Sequence, residues 1–507
     1  MRSYRPGLYR MRVFVFLIVG MVLLAGCDGG PNDPPPDRPD PPETDNAAPT
    51  ADLTLDTSEV EIGTEVALDG SGSSDPDGDD LTYSWRLAAA PSGSDASLAD
   101  EAGITADFTP DATGDYVVGL EVSDGEENDT DDGSLEAVQA VVEITGDISS
   151  DRTLTSDETY RFPNTDPVDI KEGVTVTIEP DTDLRFAEEA GLDVFGTLRA
   201  EGTAEDSITM TATRGNRQPG WWRGVEFSAG TSVLDHVQIR YAGADRVPGE
   251  GAASIYQSGS SEADLQLTNS TIESGRGCGL AVVPNIEATL QTFSENEFRE
   301  LEKPPVCIPF AKVGIFDGSN SFPPQSAVEV FEAPIESGIE EKTRMRSLDE
   351  DIPYRVTEDV TVSSDTLVIK AGVHMTFAEN VQLEVFAILP AAIEAQGTAG
   401  NPIRMTATEG NEMPGWWQGI YLRDDFGGTL SNVIIRHGGG TSSPANITAE
   451  QVLPGLDAQG SLTVENSRIE DSGKHGIACN DAGIDLTAQG NAFAGIPGKP
   501  ITGCGTE

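Results

Sequence analysis

Asp75, Asp77, Asp79 and Asp80 fall within one Gly- and Pro-rich turn and offer several hard oxygens at once, the donor type that calcium prefers. Aspartate also dominates turns for conformational reasons, and no bidentate glutamate follows at the spacing of a calcium loop. Calcium is thus the one cofactor the sequence suggests, with these four carboxylates as candidate ligands. Two indole pairs, Trp221-Trp222 and Trp416-Trp417, each follow a Pro-Gly step. An exposed indole can stack on a sugar and a buried one fills a core, so these four are candidate glycan contacts, one ring of each pair being expected inside. Adjacent carboxylates such as Asp424-Asp425 have the chemistry of a glycosidase acid and base, but among 86 acidic residues adjacency says little. The chain holds no Ser-His-Asp arrangement, no His-Glu-x-x-His and no phosphate loop, so no residue is assigned to catalysis.

The five cysteines divide by context. Cys27 follows Leu24-Ala25-Gly26, the apolar run from Val13 to Leu23, and an arginine-bearing start. That run is about half the ~20 residues a spanning helix needs. The layout resembles a bacterial lipoprotein signal, which implies cleavage before Cys27, acylation of its thiol and amine, and a protein working in the cell envelope beyond the cytoplasmic membrane. More than one acyl chain, at ~0.8 kcal/mol per buried CH₂, gives a stable anchor. Asp28 resembles an inner-membrane retention signal of enteric bacteria, a rule that does not hold generally, so the choice of membrane stays open. Residues 1–26 are then signal peptide. Residues 27–47, rich in Pro and Asp, are an extended stalk with too little apolar surface to fold. The formal net charge of −55 repels nucleic acid and other polyanions and favours cations.

Residues 48–146 alternate apolar and polar positions through Val66-Ala67-Leu68, Leu81 to Trp85 and Tyr116 to Val122, between Gly/Asp/Ser/Pro turns. Short strands at this spacing predict a β-sandwich. The order of Asp69 to Asp79, Tyr83-Ser84-Trp85, Phe108-Thr109-Pro110-Asp111, Gly114-Asp115-Tyr116 and Val122-Ser123-Asp124-Gly125 resembles PKD and PKD-like immunoglobulin-type modules. Trp85-Arg86-Leu87 departs from the best-known signature of that family. Trp85 is expected between the sheets.

The remainder is a tandem duplication, with copies at 147–340 and 341–507. Ile208 to Val225 recurs as Ile403 to Ile420, and Tyr160-Arg161, Leu192 to Phe195, Ile239-Arg240 and Asn269-Ser270 have counterparts in Tyr354-Arg355, Leu383 to Phe386, Ile435-Arg436 and Asn466-Ser467. Within each copy, short β-branched strands recur every twenty-odd residues. Stacked coils of parallel strands satisfy one another's backbone, which predicts a solenoid. Ile178 to Phe186, Leu198 to Thr203 and Pro219 to Val225 resemble the right-handed parallel β-helix of the pectin-lyase-like group. The expected fold class is therefore all-β: an immunoglobulin-like sandwich followed by a right-handed parallel β-helix in two copies. On this frame Cys307 and Cys504 occupy equivalent positions, and one bridge per copy, Cys278–Cys307 and Cys479–Cys504, is the economical pairing in an oxidising compartment. Asn269 and Asn466 suit inward amide ladders.

A duplicated reaction centre would repeat its chemical residues. None of the four histidines does so: His437 aligns with Tyr241, His475 with about Cys278, and His236 and His374 have no histidine counterpart. Arg240 and Arg436 repeat, and each is expected to pair with acidic side chains. The leading expectation is a non-catalytic, lipid-anchored surface protein that binds a polysaccharide or a surface protein through its β-helix. The alternative is a polysaccharide lyase or hydrolase, which requires a carboxylate-and-arginine cluster on one face of one copy.

Overall fold

The computed structural model describes residues 46–213, 215, 217–244, 252–258, 263–283, 290–331, 343–348, 352–363, 366–441, 443, 445–450, 460–480 and 484–504; Cys27, the signal segment and the stalk lie outside them. Nearly every regular element is a strand, with Phe310–Ile315 as a single 3₁₀ turn among the described residues.

Alternation in Val66–Asp69 buries Val66 and Leu68, and the same pattern in Gly114–Ser123 buries Tyr116, Val118, Leu120 and Val122. These positions face each other across two four-stranded sheets. One is ordered Thr54–Leu55, Val66–Asp69, Thr105–Phe108, Leu98–Ala99; the other is Glu59–Glu61, Asn128–Val138, Gly114–Ser123, Thr82–Ala89. Trp85 lies between them as expected, buried, with its Nε1–H donated to the Gly103 carbonyl at 2.9 Å. Burying such side chains supplies about 1.5–3 kcal/mol each.

The chain enters the solenoid one residue after the last sandwich strand. Ala140–Glu143 pairs in parallel with Glu158–Phe162 and so forms the first strand of a solenoid stack. From there on every strand pair among the described residues is parallel. In the first copy three stacks run side by side, beginning at Arg152–Leu154, Ala140–Glu143 and Val168–Ile170. Inward positions build one continuous apolar core. Phe162, Phe186 and Trp222 stack face to face at 4.5 and 4.0 Å, and the second copy repeats the last step with Phe377 on Trp417 at 4.0 Å.

The two copies are not superposed by simple translation. The first-copy stack through Glu158–Phe162, Asp183–Phe186, Ile208–Ala212 and Val237–Arg240 ends at Glu297–Arg299. Its second-copy counterparts, Tyr354–Val356, His374–Phe377, Ile403–Ala407 and Val433–Arg436, instead continue the stack that began at Val168–Ile170. The second copy is therefore turned by one face of the solenoid relative to the first.

Polar ladders form one residue away from the expected place. Asn269 and Asn466 adopt left-handed backbone (φ 50° each) and point outward. The buried ladder is made instead by Ser270, Asn296 and Asn320, with Asn296 Nδ2 donating to Asn320 Oδ1 at 2.9 Å, and in the second copy the buried Ser467 donates its backbone N–H to the half-buried Asn491. A tight turn needs a residue tolerant of positive φ, and Asn fills that need here for conformational reasons.

Both expected disulfides are present, Cys278–Cys307 and Cys479–Cys504, spanning 29 and 25 residues. The second ties the final strand, Ile501–Thr502, back to the strand beneath it. Replacing Cys479 and Cys504 by serine is expected to cost roughly 3 kcal/mol in the chain-entropy account. The loss is expected to be local: amide exchange should rise in Asp485–Gln489 and Ala492–Ala494 while Thr175–Ile178 stays protected.

Candidate functional site

The densest cluster of charge lies where the sandwich meets the solenoid. Arg161 and Arg185 are neighbours in register on one stack, and Glu59 and Glu136 are neighbours in register on the sandwich sheet that faces them. Arg185, 7% exposed at its side chain, reaches Glu59 at 2.6 Å, Glu136 at 2.9 Å and Asp183 at 2.6 Å, while Arg161 contacts Glu59. Burial alone would push the Arg185 guanidinium down, but Asp183 and Glu136 outweigh it and raise its pKa. Burial pushes the Asp183 carboxyl up despite Arg185. Beside this cluster a cavity of about 320 Å³ opens over the same stack, lined by Thr209, Thr211, Arg217, Arg240 and Tyr241 together with the ion cluster.

Further along that stack, Arg240 and Arg299 both grip Glu273 at 2.5 Å. The second copy repeats the first of these contacts, Arg436 on Glu470 at 2.6 Å, and takes its second arginine, Arg468 at 2.6 Å, from the same strand as Glu470 and not from the following coil. Burial favours the neutral form of Glu470, but hydrogen bonds and charge from Arg468 and Arg436 prevail and hold its carboxyl below the usual range. The repeated arginines are thus paired with carboxylates, as their strand-end positions suggested.

His437, whose counterpart is Tyr241, is the one histidine among the buried side chains of the described residues. Its Nδ1 lies 2.9 Å from Thr406 Oγ1. Burial holds the imidazole below its ordinary value, with Asp471, Glu412 and Glu470 opposing and Arg436 reinforcing the shift.

The tryptophan pairs separate into two roles. Trp222 and Trp417 are fully buried, their Nε1–H groups donated to the carbonyls of Arg240 and Arg436 at 2.7 Å. One ring of each pair thus lies inside, and Trp222 and Trp417, enclosed in the core, have no face for a sugar. Trp221 and Trp416 are half-buried at the surface. Gly224 (φ 99°) makes this corner possible, because a Cβ there would lie 2.2 Å from the Ser254 carbonyl oxygen.

The candidate calcium turn has a different use. Asp75 Oδ1 accepts backbone N–H groups from Asp77 and Gly78 at 2.8 Å and from Asp79 at 3.2 Å. Among the described residues no group of three or more His, Cys, Asp or Glu is placed to hold a metal ion. Asp75, Asp77, Asp79 and Asp80 are thus not assembled as a calcium cage, because the first of them organises the turn instead. Sequence reasoning did not find Glu59, Glu136 or Arg185; only the repeat of arginines along the stack signalled that carboxylates must face them.

Two family models match the chain: PKD domain at residues 46–138, and pectate-lyase like beta helix domain at residues 340–482. The protein therefore carries a PKD module and a pectate-lyase-like β-helix. No curated protein matches. Among solved structures, the periplasmic alginate epimerase AlgG is 7% identical with a TM-score of 0.22, over 68% of this chain and 76% of that one. A nucleoside hydrolase-related protein from Saccharophagus degradans, associated with carbohydrate metabolism, is 27% identical with a TM-score of 0.16, over 18% of this chain and 25% of that one. Neither overlap is close enough in shape to bear on function.

Two predictions follow from the charges. Arg185→Ala leaves Glu59, Glu136 and Asp183 facing one another, and denaturant titration should show a loss of about 3–5 kcal/mol, partly restored by adding Glu59→Gln and Glu136→Gln. For His437 the folded pKa lies below the unfolded one, so the unfolded chain binds the proton first as pH falls and stability drops from about pH 6.5 downward. His437→Tyr should remove that contribution, seen as a smaller difference between urea midpoints at about pH 7.5 and 5.5 than in the parent.

Proposed function

We propose that the protein is a non-catalytic, lipid-anchored component of a bacterial cell envelope, holding a carbohydrate-contacting β-helix away from the membrane on a Pro/Asp-rich stalk and a docked PKD module. The observation that carries this reading is the neutralisation of the repeated arginines. Arg240 and Arg436 stand at equivalent positions and both are tied to a carboxylate of the next coil, Glu273 and Glu470. Groups held this way stiffen the solenoid face, and a reaction would need them released. The match to a pectate-lyase-like β-helix, together with half-exposed indoles at two equivalent corners, supports carbohydrate as the contacted class. A surface protein is the other partner of this reading.

One observation favours a second reading, a polysaccharide lyase or hydrolase. The first copy alone has Asp183 and Arg185, clustered with Glu136 of the sandwich, beside a 320 Å³ cavity that also offers Arg217 and Tyr241. Its charges are satisfied by the sandwich, which is why it ranks second.

The two are separated by incubating Ala48–Glu507, the compact unit that follows the stalk, with acidic and neutral polysaccharides. Unsaturated products and reducing ends are followed with and without calcium. The expected outcome is retention of a glycan on a pull-down without product. Turnover of any substrate, abolished by Asp183→Asn, would establish the enzyme reading instead.

A further inference from the structure

The repeated arginines of the sheet stacks are tied to carboxylates, but the charged groups at one corner of the first copy are not paired. Glu188, Glu189 and Arg276 are exposed, and none of the three forms an ion pair among the described residues. Together with Gln218, Pro219 and the half-buried Trp221 they line a cavity of about 270 Å³. The backbone sets this arrangement. Glu189, in the left-handed region (φ 59°), donates its N–H to the Trp221 carbonyl at 2.9 Å, which fixes the acidic pair beside the indole. The Arg276 side chain crosses directly over Gly220, where a Cβ would come within 2.6 Å of Arg276 Cδ, so glycine is what allows the guanidinium to lie across the pocket. The Trp221 Nε1–H is enclosed and without a partner.

The second copy keeps the backbone of this corner and one of its carboxylates, Glu379 at the place of Glu188, and replaces the other polar groups. Asn380 (φ 63°) replaces Glu189 and donates to the Trp416 carbonyl at the same 2.9 Å. Met413, 60% exposed, stands in place of Gln218, and Gly473 in place of Arg276. What the first copy adds to a common scaffold is therefore a set of polar groups that contributes nothing visible to packing.

One flat apolar ring, two carboxylates and one guanidinium around a small open cavity match the surface of a sugar, which has an apolar C–H face and a rim of hydroxyls. Two carboxylates against one guanidinium, within a chain of net charge −55, disfavour an acidic sugar. We propose that the Trp221 corner is a subsite for one neutral sugar unit of a glycan: Trp221 stacks under the ring, Glu188 and Glu189 accept from its hydroxyls, and Arg276 donates to an oxygen. This assignment rests on the carbohydrate-contacting reading and narrows it to one copy and one class of glycan.

The test titrates Ala48–Glu507 with neutral xylo-, gluco- and manno-oligosaccharides and with uronate oligosaccharides, following intrinsic tryptophan fluorescence and calorimetry. A neutral oligosaccharide is expected to bind, with affinity at least tenfold weaker in Trp221→Ala and in Arg276→Ala and unchanged in Trp416→Ala. Arg276 is exposed, so its variant keeps the test decisive should Trp221→Ala misfold. Unchanged binding in both first-copy variants would overturn the subsite while leaving carbohydrate contact intact. Binding by uronates alone, lost in Arg276→Ala, would overturn the neutral class. Absence of any binding in the parent protein would overturn both the subsite and the reading beneath it.

Discussion

In a parallel solenoid every side chain stands about 4.8 Å above its equivalent in the coil below, and the rest of this structure follows from that spacing. Backbone groups gain partners only from adjacent coils, so no coil is stable alone. Side chains meet their own kind along each row. For aromatic rings the arrangement is favourable, as in the stack of Phe162, Phe186 and Trp222. Amides and hydroxyls become ladders, as in Asn296 over Asn320. For like charges it is costly: two unit charges about 5 Å apart repel by roughly 3 kcal/mol at an effective dielectric constant near 20.

The arginine row shows how the cost is met. Where Arg240 would sit beside another arginine, the register supplies Glu273 between it and Arg299. At the start of the row there is no such alternation, since Arg161 and Arg185 are adjacent. The sandwich has the complementary problem in Glu59 and Glu136. Docking the two modules converts two repulsive pairs into one satisfied cluster. The PKD module is thus part of the electrostatic closure of the first coils as well as a spacer.

The class of each module was legible in the sequence because its signals are local or repetitive. The Trp85 strand, the Asp-Gly turns and the eighteen-residue echo of Ile208 to Val225 each imply their structure without knowledge of distant residues. The cysteine pairing followed from the same echo. Long-range partners were not legible. Glu59 and Arg185 are 126 residues apart, and with 86 acids in the chain nothing marks Glu59 as the one that matters. The turn of the second copy by one face was hidden for a related reason: the echo records which residues correspond, and the stack on which each strand continues depends on the connection between copies. Aspartates in the candidate calcium turn and Asn269 misled in the same direction, because residues suited to ligation or laddering are also those that tight turns select.

Duplication lets the two copies act as controls for each other. Features present in both, such as Trp222 and Trp417 or the Arg–Glu pairs, are what the solenoid needs in order to exist. Features present in only one are free to serve a ligand. By that criterion the repeated charges along the stack are structural, while the corner residues Glu189, Gln218 and Arg276, replaced in the second copy by Asn380, Met413 and Gly473, carry the specificity. Pairing costs a charged group its reactivity, so chemistry toward an outside molecule falls to the groups that the fold leaves unpaired. Glu188, Glu189 and Arg276 are such groups beside Trp221, at a corner where a glycine and a left-handed turn bring them together.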